Sequence, residues 1–116
     1  MKKAERIKKR NEFDEFIKTT KATKNLFFVL HFKTKKNTES RFGIAVGSKI
    51  GNAVIRNKLK RQLRHIINET KNLFPKDKDY IIIVRKQCLD LNFVQMKEKL
   101  NELISKVKKW NYKIVL

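Results

Sequence analysis

The 116-residue chain carries 30 Lys and Arg against 11 Asp and Glu, a formal charge of +19, with 41% hydrophobic residues and one cysteine, Cys88. This describes a single domain, 1–116, with a modest core and neither an internal disulfide nor a multi-cysteine zinc site, and its charge calls for a polyanionic partner, either nucleic acid or an anionic membrane. The longest apolar runs are strand-sized, far short of the roughly 20 residues of a membrane span, and no hydrophobic stretch follows the basic segment Met1 to Arg10, so no secretory signal is expected and the default compartment is the cytoplasm.

Residues 1–10 hold six basic side chains and one acid and read as a flexible basic segment. Asn11 is a reasonable N-cap for a short helix with Glu12, Asp14 and Glu15 in its first turn and Phe13, Phe16 and Ile17 on one face. The β-branched run Thr19, Thr20 and Thr23 should end it. Leu26 to Lys33 alternates as a strand: Leu26, Phe28, Leu30 and Phe32 form a core face, and Phe27, Val29, His31 and Lys33 form a mixed aromatic and basic one. A polar turn, 35–40, precedes a second strand whose Phe42, Ile44 and Val46 oppose a nearly bare face of Gly43, Ala45 and Gly47.

A long helix then opens near Gly51 and Asn52 and runs to about Leu73, before Phe74 and Pro75. At 100° per residue Ile55, Leu59, Leu63, Ile66 and Ile67 share one arc and Lys58, Lys60, Arg61, Arg64 and His65 the opposite one. The continuous apolar run of Tyr80 to Val84 suits a strand buried on both faces. Phe93, Met96, Leu100, Leu103, Val107 and Trp110 then mark a helix beginning near Asn92 and laid on the sheet.

From Ser40 to Asn68 there is no acidic residue, yet the window holds Arg41, Lys49, Arg56, Lys58, Lys60, Arg61 and Arg64, including four of the chain's seven arginines. Guanidinium forks suit phosphates better than ammonium points do. Asn57, Arg61, Arg64 and Asn68 make a helical stripe able to follow a phosphodiester backbone. The competing reading is a solvated face, which an acid-free window in so basic a chain disfavours. The apolar side of this helix lacks large aromatics and is needed for the core, which argues against a membrane partner.

The segment Arg41 to Arg64 resembles the signature region of the bacterial ribonuclease P protein subunit family. Arg41 to Val46 matches the strand R-x-G-[IL]-[SA]-V, Gly51 to Val54 matches G-N-A-V, and Arg56-Asn57-Lys58-Leu59-Lys60-Arg61-Gln62-Leu63-Arg64 matches the RNR helix. Arg6 to Lys9 with Phe13, and Asp79 to Ile83, extend the likeness over nearly the whole chain. The resemblance implies an α+β fold, a single-domain two-layer α/β sandwich ordered helix, strands, helix, strand, helix. Its mixed sheet of three to four strands contains a left-handed β-α-β crossover through the basic helix, against the usual handedness.

It also implies a role. Lys49, Asn52, Arg56, Asn57, Lys58, Lys60, Arg61 and Arg64 would dock on a catalytic RNA, while a cleft between the first helix and the sheet would hold the 5′ leader of precursor tRNA. Cleavage would belong to Mg²⁺ bound by the partner RNA, making the chain the non-catalytic subunit of an RNA-based endoribonuclease, with no cofactor or metal of its own and no obligate protein partner. The residues read alone agree, since Phe13, Ile17, Phe27, His31 and Lys33 offer rings and cations for a single strand, and Gly43, Ala45 and Gly47 would leave it room to approach.

The chain departs from the family pattern in four places. His31 stands where Tyr is frequent, Ile17 where a second aromatic is, Gly47-Ser48-Lys49 where Ser-Lys-Lys is, and Arg10 where a capping residue is common, leaving the cap to Asn11. Cys88 reads as an incidental buried thiol, and Lys106, Lys108, Lys109 and Lys113 as a solvated face. The rival functions are a ribosomal or general structured-RNA-binding protein and a protein-only nuclease; the second lacks an acidic cluster for two-metal chemistry.

Overall fold

The structure, a computed structural model, describes residues 6–7, 10–34 and 39–115, with side chains through residue 109. Most of the basic segment, four residues of the expected turn at 35–40 and the side chain of Trp110 therefore lie outside the described residues. The chain order is α1 (Arg10–Thr19), β1 (Lys21–Lys24), β2 (Phe28–Thr34), β3 (Phe42–Ala45), α2 (Ala53–Thr70), β4 (Lys78–Val84) and α3 (Phe93–Val115). The four strands form one mixed sheet in the order β1-β2-β4-β3, antiparallel except for the β3–β4 pair. The β-α-β unit is thus β3-α2-β4, joining parallel neighbours.

Period two on the strands sends alternate residues to opposite faces. Phe28, Leu30, Phe32, Phe42, Tyr80, Ile82 and Val84 meet Leu59, Leu63, Ile66 and Ile67 of α2 and Met96, Leu100, Leu103 and Val107 of α3 in the main core. Phe42 stacks on Tyr80 within it, Phe74 meets both rings edge-on, and the Tyr80 hydroxyl donates to the Pro75 carbonyl. The other face carries a smaller core of Ile7, Phe16 and Ile81, flanked by Phe13, Ile17 and Ile83. So α2 and α3 make the helical layer of the sandwich and α1 crosses the opposite face.

Caps set the long helices. The Asn52 side chain accepts from Ile55 N at 3.0 Å at the start of α2, and Asn92 and Gln95 bond reciprocally at the start of α3, at 2.9 and 3.0 Å. Asn25 fixes the β1–β2 turn: its Oδ1 accepts from Phe27 N and Phe28 N, and its amide donates to Lys99 O, each at 2.9 Å.

Three local expectations are corrected. Helix α1 begins at Arg10, so Asn11 lies inside it and does not cap it. Leu26 sits in the β1–β2 turn, 56% exposed, outside the core face assigned to it, because β2 starts only at Phe28. Ile55, in the first turn of α2, is also exposed, ahead of the point where the helix reaches the sheet.

Candidate nucleic-acid interface

Cross-strand register lines up residues in rows on the α1 side of the sheet. One row is Ala22, His31, Ile81 and Gly43, and the next is Lys24, Val29, Ile83 and Ala45. Helix α1 lies along the first row: Phe13 sits on Gly43, Phe16 packs with Ile81, and Thr20 meets His31. A Cβ on Gly43 would come within 2.6 Å of the Phe13 ring and 3.2 Å of Ile81. Gly43 is therefore a notch for α1. This corrects the idea that its bare face admits nucleic acid; Gly47 lies past the end of β3, with nothing within 4 Å of an added Cβ.

The sides of α1 differ. At 100° per residue, with Phe16 inward, Phe13 and Ile17 lean one way and Glu12 the other. Glu12 pairs with Arg41, which also grips Asp79, its backbone N–H reaching Oδ1 at 2.8 Å and its guanidinium reaching Oδ2 at 3.0 and 3.2 Å. Burial opposes the charge on Arg41, but the bonds to Asp79 and Glu12 outweigh it, and its pKa is raised. Arg41, part of the acid-free window, is thus held as a clamp between α1, β3 and β4.

Phe13 and Ile17 face the opposite way, over the row Lys24, Val29, Ile83 and Ala45. Val29, Ile83 and Ala45 are half-buried, with Ile17 and Ile83 in the same small cluster. The result is a groove across all four strands, about 14 Å long at the usual interstrand spacing. Its floor is apolar, one wall carries an aromatic ring, and Lys24 stands at one end.

The candidate leader residues therefore divide. Phe13, Ile17 and Ala45 line this groove. His31 lies beneath the end of α1; Thr20 donates to Phe16 O at 2.6 Å, so its hydroxyl oxygen is left to accept from His31 Nδ1–H at 3.2 Å. Burial lowers the His31 pKa, partly offset by its hydrogen bonding at Thr20. Lys33 pairs with Asp79 in the row on the far side of α1. Phe27 precedes β2 and packs against the main core, its ring 5.8 Å from Lys99 Nζ, which removes it from the groove. Val29 and Ile83 of the groove floor are not among the sequence-derived candidates. Alternation puts Val29 on the right face, whereas the place of Ile83 beside it follows only from the pairing of β2 with β4.

The cationic residues of α2 also spread over more than one direction. Arg56, Lys60 and Arg64, four residues apart, are half-buried on one flank. Lys60 and Arg64 line a shallow pocket of about 140 Å³ with Phe42, Gly43 and Ile44 at β3. Asn57, Lys58 and Arg61 are exposed on the outer side, as are Lys49 and Asn52 before the helix, Asn52 with its side-chain oxygen engaged in the cap. His65 turns instead to α3, 5.5 Å from the Phe93 ring and 3.2 Å from Glu69, which also binds Lys97 at 3.1 Å.

Cys88 is buried, which pushes its thiol up to about 11 and leaves it without nucleophilic character. Among the described residues no group of three or more His, Cys, Asp or Glu could hold a metal ion, and no helix is long and apolar enough to cross a membrane.

A basic α+β fold with a groove on one sheet face and an arginine-bearing helix beside the β3 edge defines a class of protein suited to a polyanionic partner. The family model for ribonuclease P matches residues 1–108. The ribonuclease P protein components of Mycoplasma capricolum and Bacillus cereus are 43% and 41% identical to the chain, covering 93% and 86% of it and 100% and 88% of their own lengths. The Staphylococcus aureus ribonuclease P protein superposes with a TM-score of 0.82 at 34% identity, covering 91% of this chain and 97% of that one. The protein from Thermotoga maritima gives 0.79 at 36%, covering 88% and 96%. The chain belongs to the ribonuclease P protein family.

Proposed function

We propose that the chain binds the catalytic RNA of ribonuclease P and the 5′ leader of precursor tRNA, promoting 5′-end maturation of tRNA in the cytoplasm. The observation that carries this reading is the shared strand β3. Its Gly43 receives Phe13 of the groove wall on one face, and the Lys60–Arg64 pocket opens along the same strand. A strand of RNA in the groove is thereby brought beside RNA held on α2.

In this arrangement Arg56, Lys60 and Arg64, with Asn57, Lys58 and Arg61 outside them and Lys49 and Asn52 in the approach to the helix, meet phosphates of a folded RNA. Forked guanidinium donors favour fixed phosphate pairs there. Phe13 gives a base a ring to stack on, and Ile17, Val29, Ile83 and Ala45 give apolar contact without reading sequence. The chain performs no bond chemistry. Mg²⁺ held by the partner RNA supplies the cleavage chemistry, and the protein's positive charge reduces repulsion between that RNA and its substrate.

Reconstitution tests this. The chain is added to a bacterial-type catalytic RNA at low Mg²⁺ and cleavage of precursor tRNA is followed. Stimulation, with tighter binding of precursor than of mature tRNA, is expected. No stimulation overturns the proposal, cleavage by the protein alone points to a nuclease, and equal affinity for precursor and mature tRNA points to a general RNA-binding protein.

A further inference from the structure

A second stretch of the chain, Phe16 to Thr38, also lacks acidic residues, and its six cations are all lysines: Lys18, Lys21, Lys24, Lys33, Lys35 and Lys36. Its strand β1 is the sheet edge opposite β3. Lys24 is in register with Val29, Ile83 and Ala45, so its side chain stands where the groove floor runs out at that edge. From the other face of the sheet, Lys106 of α3 reaches to the same place, its Nζ donating to Lys24 O at 3.2 Å. Both lysines are exposed.

Three acids on the neighbouring elements are engaged elsewhere. Glu102 of α3 pairs with Lys99 at 3.1 Å, Glu12 of α1 pairs with Arg41 on the far side of that helix, and Asp79 of β4 is bonded to Arg41. Lys24 and the Lys106 ammonium thus both bring positive charge to the β1 edge, a local excess that a polyanion relieves. Lysines on an edge strand also discourage pairing with another chain. That purpose alone explains neither the recruitment of Lys106 from α3 nor the alignment of Lys24 with the groove floor.

We propose that Lys24 and Lys106 form a phosphate-binding exit at the β1 edge, which takes up single-stranded RNA as it leaves the groove. The inference rests on the groove being the leader site and extends it: nucleotides farther from the cleavage point bind at the β1 edge. Ammonium groups on flexible stems neutralise a moving backbone without demanding a fixed geometry, whereas the arginines of α2 suit a folded RNA. The exit therefore responds to leader length and not to leader sequence.

The test uses the reconstituted complex with the Lys24→Ala/Lys106→Ala pair, both exposed, and precursor tRNAs with leaders of about five and about twelve nucleotides. For the long leader, affinity is expected to fall about tenfold at low salt and the salt slope by about 1.4, at roughly 0.7 per single-strand phosphate contact. The short leader and mature tRNA should bind as before, and Lys24→Arg/Lys106→Arg should restore the long-leader affinity. Unchanged long-leader affinity overturns the inference, as does an equal loss for every substrate, which would assign the edge to the catalytic RNA. Full leader affinity with new self-association in size-exclusion chromatography also overturns it, leaving the lysines as edge guards. Phe13→Ala serves as the control: if it spares both leaders the groove reading itself fails, and if it weakens both while the lysine pair has no effect, only the exit fails.

Discussion

The two faces of the sheet are built from the same strands but packed very differently. On one, side chains from β2, β3 and β4 interlock with two long helices in a core whose central members are fully buried. On the other, a ten-residue helix covers one row of the sheet and leaves the next row half-exposed. The first face holds the chain together. The second leaves a groove open, so stability and the recognition we propose fall on opposite sides of one sheet.

If that division is right, the largest stability loss comes from the packed face. Leu63→Ala, at a fully buried position of α2, should cost about 2–5 kcal/mol in urea unfolding. Ile17→Ala on the open face should cost less than about 1 kcal/mol while weakening leader binding. Comparable losses at the two sites would erase the distinction.

Next in size is Gly43→Ala, which puts a methyl group into the Phe13 ring and should cost about 1–3 kcal/mol. Paired with Phe13→Ala the penalty should shrink, read as a coupling term in a double-mutant cycle. The same penalty in both backgrounds would show that the ring does not fill the notch. Arg61→Ala, on the outer side of α2, should leave stability within about 0.5 kcal/mol and lower the salt slope of catalytic-RNA binding by roughly 0.7–0.9. An unchanged slope would make Arg61 merely solvated.

The smallest effect concerns pH. His31 has a lowered pKa through burial, so the unfolded chain takes up its proton first as pH falls. Its contribution to stability is intact above the ordinary histidine value of 6.5 and declines as pH drops below it toward the folded value. His31→Phe should flatten that slope in thermal melts between pH 7 and about 5; a slope unchanged by the substitution would locate the titration elsewhere.

Much of this was legible in the chain. Tyr80 to Val84 announced a strand buried on both faces, and β4 is an interior strand of the sheet. The arc of Leu59, Leu63, Ile66 and Ile67 gave α2 its buried side, and the arginine-rich window with the RNR pattern gave the family. Strand β1 was not legible: Lys21 to Lys24 has no apolar alternation and exists as a strand only by pairing with β2. Phe27 was misplaced by extending that alternation two residues before β2 begins, where the Asn25 turn redirects the chain.

What the sequence determined by itself is what local periodicity and composition encode: the order of the elements other than β1, the main core, the cationic window and the family it signals. Only the tertiary structure decided which residues share a surface. The rotation of α1 about Phe16 puts Phe13 and Ile17 on the groove side and Glu12 on the Arg41 side, and strand register aligns Lys24 with Ala45 three strands away. Such alignments arise from pairing and packing between segments far apart in the chain, and no local pattern carries them.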